Sequence, residues 1–168
     1  MKSILDKFRA KPEWQSPDPS VRAAAVLRLS SDERELVGSF AVDPDARVRK
    51  AAVKKIHDPA LLARMAQTDA DPGVRDEAAD ALVTMAAHAQ DEARGAAALE
   101  GLAPPKHLLA VVRTAALPAT RRRALEKLAD AKALAAAARE APDADLRLLA
   151  VARLNEPRLL LSLASTAS

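Results

Sequence analysis

The chain contains no cysteine and no tyrosine, and it has only 4 glycines, 3 histidines and three aromatic residues, Phe8, Trp14 and Phe40. Without cysteine there is no disulfide and no thiolate metal site, which fits a reducing compartment. Gly38, Gly73, Gly95 and Gly101 are scattered, so no glycine-rich phosphate loop is present. A single Trp and no Tyr remove the stacking platforms on which base-handling sites rely. His57, His88 and His107 lie 31 and 19 residues apart and form no His-Glu pair, so they do not read as an iron ligand set. No stretch approaches the roughly 20 apolar residues of a membrane span. The start, Met1-Lys2-Ser3-Ile4-Leu5-Asp6, breaks its apolar run at Asp6, so no signal-peptide core is expected. Together these absences predict a cytoplasmic, non-enzymatic protein with no cofactor and no metal.

What remains is alanine, proline and charge. Alanine occurs 41 times in 168 residues, which favours helix. The 11 prolines fall between apolar-periodic stretches, where proline opens a helix rather than breaking one. Asp18-Pro19, Asp58-Pro59 and Asp71-Pro72 read as an N-cap followed by a first-turn proline. The net charge of +3 is unevenly laid out: +3 over residues 1–58, −5 over 59–104 and +5 over 105–168. An acidic middle interrupts any continuous basic track, which weighs against an extended anionic partner.

One pattern recurs six times. An anchor residue is followed immediately by Arg, with Ala four residues after the anchor and usually an aliphatic residue eight after it: Val21-Arg22, Val48-Arg49, Val74-Arg75, Ala93-Arg94, Thr120-Arg121 and Leu146-Arg147. The anchors are spaced by 27, 26, 19, 27 and 26 residues. A fixed period of this size marks a repeat array in which each unit buries its apolar face against its neighbours. The pattern predicts one helix per copy at about 19–29, 45–56, 72–88, 92–102, 119–129 and 144–154. Partner helices are predicted at about 32–42, 59–67, 105–116, 131–140 and 157–165. The 19-residue step is too short for a full pair, so the third repeat is expected to have one long helix and a vestigial partner. Ile4, Leu5 and Phe8 predict a capping helix within residues 1–16, against which Trp14 packs. The run Leu159-Leu160-Leu161-Ser162-Leu163 is too apolar for the outer face of a last repeat. It suggests that residues 17–168 are an array cropped from a longer chain, or that this face docks on another one.

The segments Asp45-Ala46-Arg47-Val48-Arg49-Lys50-Ala51-Ala52 and Asp71-Pro72-Gly73-Val74-Arg75-Asp76-Glu77-Ala78 resemble the HEAT-repeat signature, and the similarity extends over about residues 17–165. Lys11-Pro12-Glu13-Trp14-Gln15 followed by Asp18-Pro19-Ser20-Val21-Arg22 is more loosely similar to the N-terminal HEAT region of bacterial proteins that carry a C-terminal domain of unknown function. The resemblance implies an all-α fold, a right-handed α–α superhelix of about six helical repeats. It also implies an inter-repeat ladder.

The ladder residues are Asp18 and Arg22, Asp45 and Arg49, Asp71 and Arg75, and Asp143 and Arg147, with the Asp four residues before the Arg. Such an Asp can cap its helix and accept from a guanidinium of its own or the next repeat; the competing reading is a row of phosphate-capturing arginines. A second basic column, Arg28, Lys55, Lys127 and Arg153, either lines a groove or complements the dipole of its own helix's last turn. The positions two and six after each anchor read Ala23/Leu27, Lys50/Lys54, Asp76/Asp80, Gly95/Leu99, Arg122/Glu126 and Leu148/Ala152. Such a mixed surface suits a protein or peptide partner. The candidate partner-binding residues are therefore Leu27, Arg28, Lys50, Lys54, Lys55, Arg122, Arg123, Lys127 and Arg153. The expected function is a non-enzymatic interaction scaffold. The alternative is a nucleic-acid-binding module using Lys50, Lys54, Lys55, Arg122, Arg123, Lys127 and Arg153. Asp76, Glu77 and Asp80 read as a solvated carboxylate face, and nothing in the sequence sets the oligomeric state.

Overall fold

A computed structural model describes residues 11–30 and 32–154. Ten α-helices are found among them: α1 (Pro19–Arg28), α2 (Arg34–Ser39), α3 (Ala46–Val53), α4 (Pro59–Thr68), α5 (Pro72–Ala87), α6 (Glu92–Glu100), α7 (Pro105–Thr114), α8 (Pro118–Lys127), α9 (Ala131–Glu140) and α10 (Ala144–Leu154). Single 3-10 turns at Glu13–Gln15 and Phe40–Val42 precede α1 and α3. The described residues contain no strand. The expected helix before residue 11, the helix at 157–165 and the Leu159–Leu163 face lie outside the described residues.

The helix starts follow from local chemistry. Pro19, Pro59, Pro72, Pro105 and Pro118 each stand in a first turn, where a missing N–H costs no hydrogen bond. The carboxylates of Asp18, Asp45, Asp58, Asp71, Asp91 and Asp130 cap their helices. Each accepts from a first-turn backbone N–H, as Asp18 does from Ser20 at 2.8 Å and Asp71 from Val74 at 2.9 Å. Most helices then stop where the chain turns extended, with C-cap ψ near 140° at Leu29, Asp69, Ala115 and Ala141.

The core is aliphatic. Val26, Val48, Val74, Leu62, Leu82, Leu108, Leu125, Leu128 and Leu134 are fully buried. The alanines four after the anchor, Ala25, Ala52, Ala78, Ala124 and Ala150, are buried too, and their small side chains admit close helix approach. The anchors Val21 and Ala93 are exposed, unlike the other four.

The 19-residue step has a larger effect than the expected vestigial partner. Helix α5 runs for 16 residues, and only His88–Asp91 separates it from α6. No partner helix intervenes. Helices two apart pack side by side, α1 on α3 on α5 on α7 on α9, and α4 on α6 on α8 on α10. Because one helix is skipped, the Val-Arg type occupies α1, α3 and α5 in the first file and α6, α8 and α10 in the second. Gly95 and Gly101 seat α6 in its place. A side chain at Gly95 would collide with the Thr120 hydroxyl on α8, and a Cβ at Gly101 would lie 2.6 Å from the Ala63 Cα on α4.

Candidate functional site

The arginines that follow the anchors do one job at five of six positions. Each guanidinium reaches back over its own loop to the carbonyls six and five residues earlier. Arg22 donates to Ser16 and Pro17 (3.0 and 3.2 Å), Arg49 to Asp43 and Pro44 (2.8 and 3.2 Å), and Arg75 to Asp69 and Ala70 (2.6 and 3.2 Å). Arg121 donates to Ala115 and Ala116 (2.6 and 3.1 Å), and Arg147 to Ala141 and Pro142 (2.8 and 3.1 Å). These carbonyls belong to the C-cap residue of the preceding helix or turn and to the residue after it, which have no intrahelical partner. The cation therefore satisfies the negative end of one helix from the first turn of the next.

The same guanidiniums bridge repeats, but through a different carboxylate from the one the spacing suggests. Arg22 forks onto Asp43 (2.9 and 2.8 Å) and Arg49 onto Asp69 (both 2.8 Å). Both aspartates stand six residues before the next Arg, not four. Asp18, Asp45 and Asp71 serve as caps instead; Asp45 also pairs with Arg47 at 2.9 Å, and Asp71 lies 3.5 Å from Lys50. A carboxylate held by first-turn N–H groups points along its own helix, so the residue two before it faces the neighbouring repeat. Asp143 is the exception and does accept from Arg121, since the residue six before Arg147 is Ala141. Arg75 has no carboxylate partner of this kind among the described residues.

Burial makes two of these pairs consequential. The Arg22 and Asp43 side chains are 14% and 9% exposed, and those of Arg49 and Asp69 are 12% and 6%. Burial pushes the Asp43 carboxyl up, but the Arg22 hydrogen bond and the Asp45 N–H outweigh it and leave its pKa below the ordinary value. The Arg49 hydrogen bond holds Asp69 low against the opposing effect of burial. The hydrogen bond from Arg47 draws Asp45 down to about 2.

In the second basic column Arg28, Lys127 and Arg153 stand in the last turns of their own helices, as one reading expects, but the head groups also reach beyond them. Lys55 donates to the Leu29 carbonyl (3.1 Å), Lys127 to Leu99 (2.6 Å), and Arg153 to Leu125 and Glu126 (2.6 and 2.9 Å). Each caps the C-terminal end of the Val-Arg helix one repeat earlier, not its own. Arg28 pairs with Glu13 in the turn before α1.

The remaining candidate surface residues are also mostly engaged. Lys54 lies 3.6 Å from Glu77, and Arg122 lies 3.1 Å from Glu126. Leu27 is 44% exposed. Arg123 is exposed and forms no ion pair with a described residue. Lys50 sits on α3 in the first file with Lys54 and Lys55 just past its end, whereas Arg122, Arg123 and Lys127 sit on α8 in the second. Among the carboxylates of α5, Asp76 pairs with Lys106 at 2.9 Å, which lowers its pKa, and Asp80 lies 3.2 Å from the His107 ring. His107 is buried, and its ring is out of line for a hydrogen bond to Asp80. No group of three or more His, Asp or Glu among the described residues could hold a metal ion.

One cleft was not anticipated, although the short repeat step marks its place. It has a volume of about 610 Å³ and lies where α5 ends and α6 begins, lined by His57, Pro59, Met85, His88, Ala89, Gln90, Ala93, Arg94 and Ala97. Its volume falls within the 300–1,000 Å³ typical of ligand sites. Other clefts measure about 400, 330 and 290 Å³.

The described chain is thus an all-α protein of consecutively packed helices joined by charged capping networks, and none of its helices is long and apolar enough to cross a membrane. No protein-family model, curated protein or solved structure matches it.

Proposed function

We propose that this chain is a HEAT-type repeat array, wound as a right-handed α–α superhelix, that acts in the cytoplasm as a non-enzymatic scaffold for a protein partner. The observation that carries this reading is the internal commitment of its cations. Of the seven basic residues that could form a nucleic-acid track, Lys50, Lys54 and Arg122 face carboxylates, and Lys55, Lys127 and Arg153 hold backbone carbonyls. Phosphate binding would have to break these contacts, and its affinity rests on cations free to displace counterions.

The test is binding to a fluorescein-labelled 20-base-pair DNA duplex, followed by anisotropy at several salt concentrations. Only non-specific affinity is expected at physiological salt, on the order of 10⁻⁴–10⁻⁶ M. A submicromolar complex that Arg122→Glu with Arg123→Glu abolishes would overturn the scaffold reading in favour of nucleic acid.

A further inference from the structure

Arg94 stands at the ladder position of its repeat but does not do the ladder's work. In the other five repeats the guanidinium is folded onto two loop carbonyls. Among the described residues the Arg94 guanidinium pairs only with Asp91, at 3.4 Å, and its side chain is 73% exposed. Water competes for such a pair. The register is unchanged, since His88, the C-cap of α5, stands six residues before Arg94; but its ψ is 13°, where the C-caps before the other five arginines lie at 135–141°, so the loop carbonyls are not turned toward the guanidinium. A fork of guanidinium donors is therefore left at the mouth of the cleft between α5 and α6.

The cleft wall fits one kind of guest. Met85, Ala89, Ala93, Ala97 and Pro59 give it an apolar lining, and its ionisable residues are His57, His88 and Arg94. No carboxylate lines it. The clefts elsewhere include Asp43 and Asp69, Glu100 and Glu126, or Glu13 and Glu33 in their walls. Charge complementarity thus favours an anionic group beside apolar ones, and Arg is suited to hold a carboxylate with two parallel hydrogen bonds. We propose that this cleft receives an apolar segment of a protein partner bearing an Asp or Glu, whose carboxylate Arg94 takes while the apolar side chains lie along Met85, Ala93 and Ala97. The proposal rests on the scaffold reading and names the site at which that scaffold binds.

The experiment pans a phage-displayed library of random 16-residue peptides on the full chain and measures the enriched peptides by fluorescence anisotropy. Enriched sequences are expected to place Asp or Glu within one helical turn of apolar residues. Arg94→Glu and Ala93→Glu, both at exposed positions, should each weaken binding at least tenfold, and Arg139→Glu on α9 should leave it unchanged. Replacing the peptide's acid by its amide should cost a similar factor, with little further loss on Arg94→Glu; this arm holds even if a protein variant folds poorly. Peptides that bind both cleft variants as tightly as the parent would overturn the cleft assignment while leaving the scaffold reading intact. Enriched peptides lacking an acidic residue, or no enrichment at all, would also overturn it. No enrichment together with tight duplex binding would remove both readings.

Discussion

Replacing Arg49 by Ala removes two capped carbonyls and a buried fork in one step. Its guanidinium holds Asp69 at 2.8 Å through both Nε and Nη2, and it holds the carbonyls of Asp43 and Pro44 through Nη1. After the substitution Asp69 keeps only the Asp71 N–H at 2.9 Å, with its side chain 6% exposed. Breaking a fully buried pair costs about 3–5 kcal/mol. The residual exposure of both groups lets water recover part of this, which sets the expectation at about 2–3 kcal/mol. Lys54, the C-cap that ends the same helix, is the control. Its side chain is 57% exposed and lies 3.6 Å from Glu77, so Lys54→Ala should cost about 0–1 kcal/mol. Urea unfolding followed by far-ultraviolet circular dichroism measures both losses. In a double-mutant cycle, Arg49→Ala and Asp69→Ala should couple by about 1–3 kcal/mol. Equal losses for Arg49→Ala and Lys54→Ala, or purely additive effects in the cycle, would refute the claim that this seam holds neighbouring repeats together.

Asp43 and Asp69 both have pKa values lowered in the folded state, so the stability they contribute is present above the unfolded carboxyl pKa and is lost as pH falls through the folded one. The destabilisation by Asp69→Asn should therefore be full at neutral pH and shrink below about pH 4, as measured by urea unfolding across that range. Lys55→Met keeps the apolar stem but releases the Leu29 carbonyl, and should cost about 1–2 kcal/mol. Arg123→Met, which breaks no described ion pair, should stay within about 0.5 kcal/mol in the same assay. Gly101→Ala would raise helix propensity but forces a Cβ to 2.6 Å from the Ala63 backbone and from Leu82; a net loss of about 1–3 kcal/mol is expected, and a gain would contradict the close approach of α6 to α4.

Much of the helical layout was legible because its signals are local. Asp-Pro pairs, prolines between apolar runs and the four- and eight-residue apolar spacing place α1 and α3 to α10 close to where they lie. The ladder was half legible. Its arginines could be picked out, but the carboxylate that meets each one depends on how a neighbouring loop is presented. Asp43 and Asp45 are equivalent in composition and differ only in which of them the helix N-terminus has already engaged. The reach of Lys55 and Lys127 to the previous repeat was hidden for the same reason: a wheel places a side chain on its own helix and says nothing of what stands opposite. The 19-residue step was visible, but its result depends on a topological count. Removing one helix leaves each apolar stripe intact while changing the file it occupies.

That count gives the chain something like a stacking fault in a crystal. On either side of α5–α6 the same motif repeats, but the phase is shifted by half a unit. The sequence type that looks toward one side of the protein before the fault looks toward the other side after it. The arginine seam is interrupted at the same place: among the described residues Arg75 finds no carboxylate ahead of it, and Arg94 turns outward. Two runs of electrostatically stitched helices therefore meet across a join made chiefly of apolar packing and the Asp76–Lys106 pair. Inserting a partner helix between Ala87 and Glu92 would restore the phase, bring all six arginines onto one side, and erase the cleft with the fault that created it.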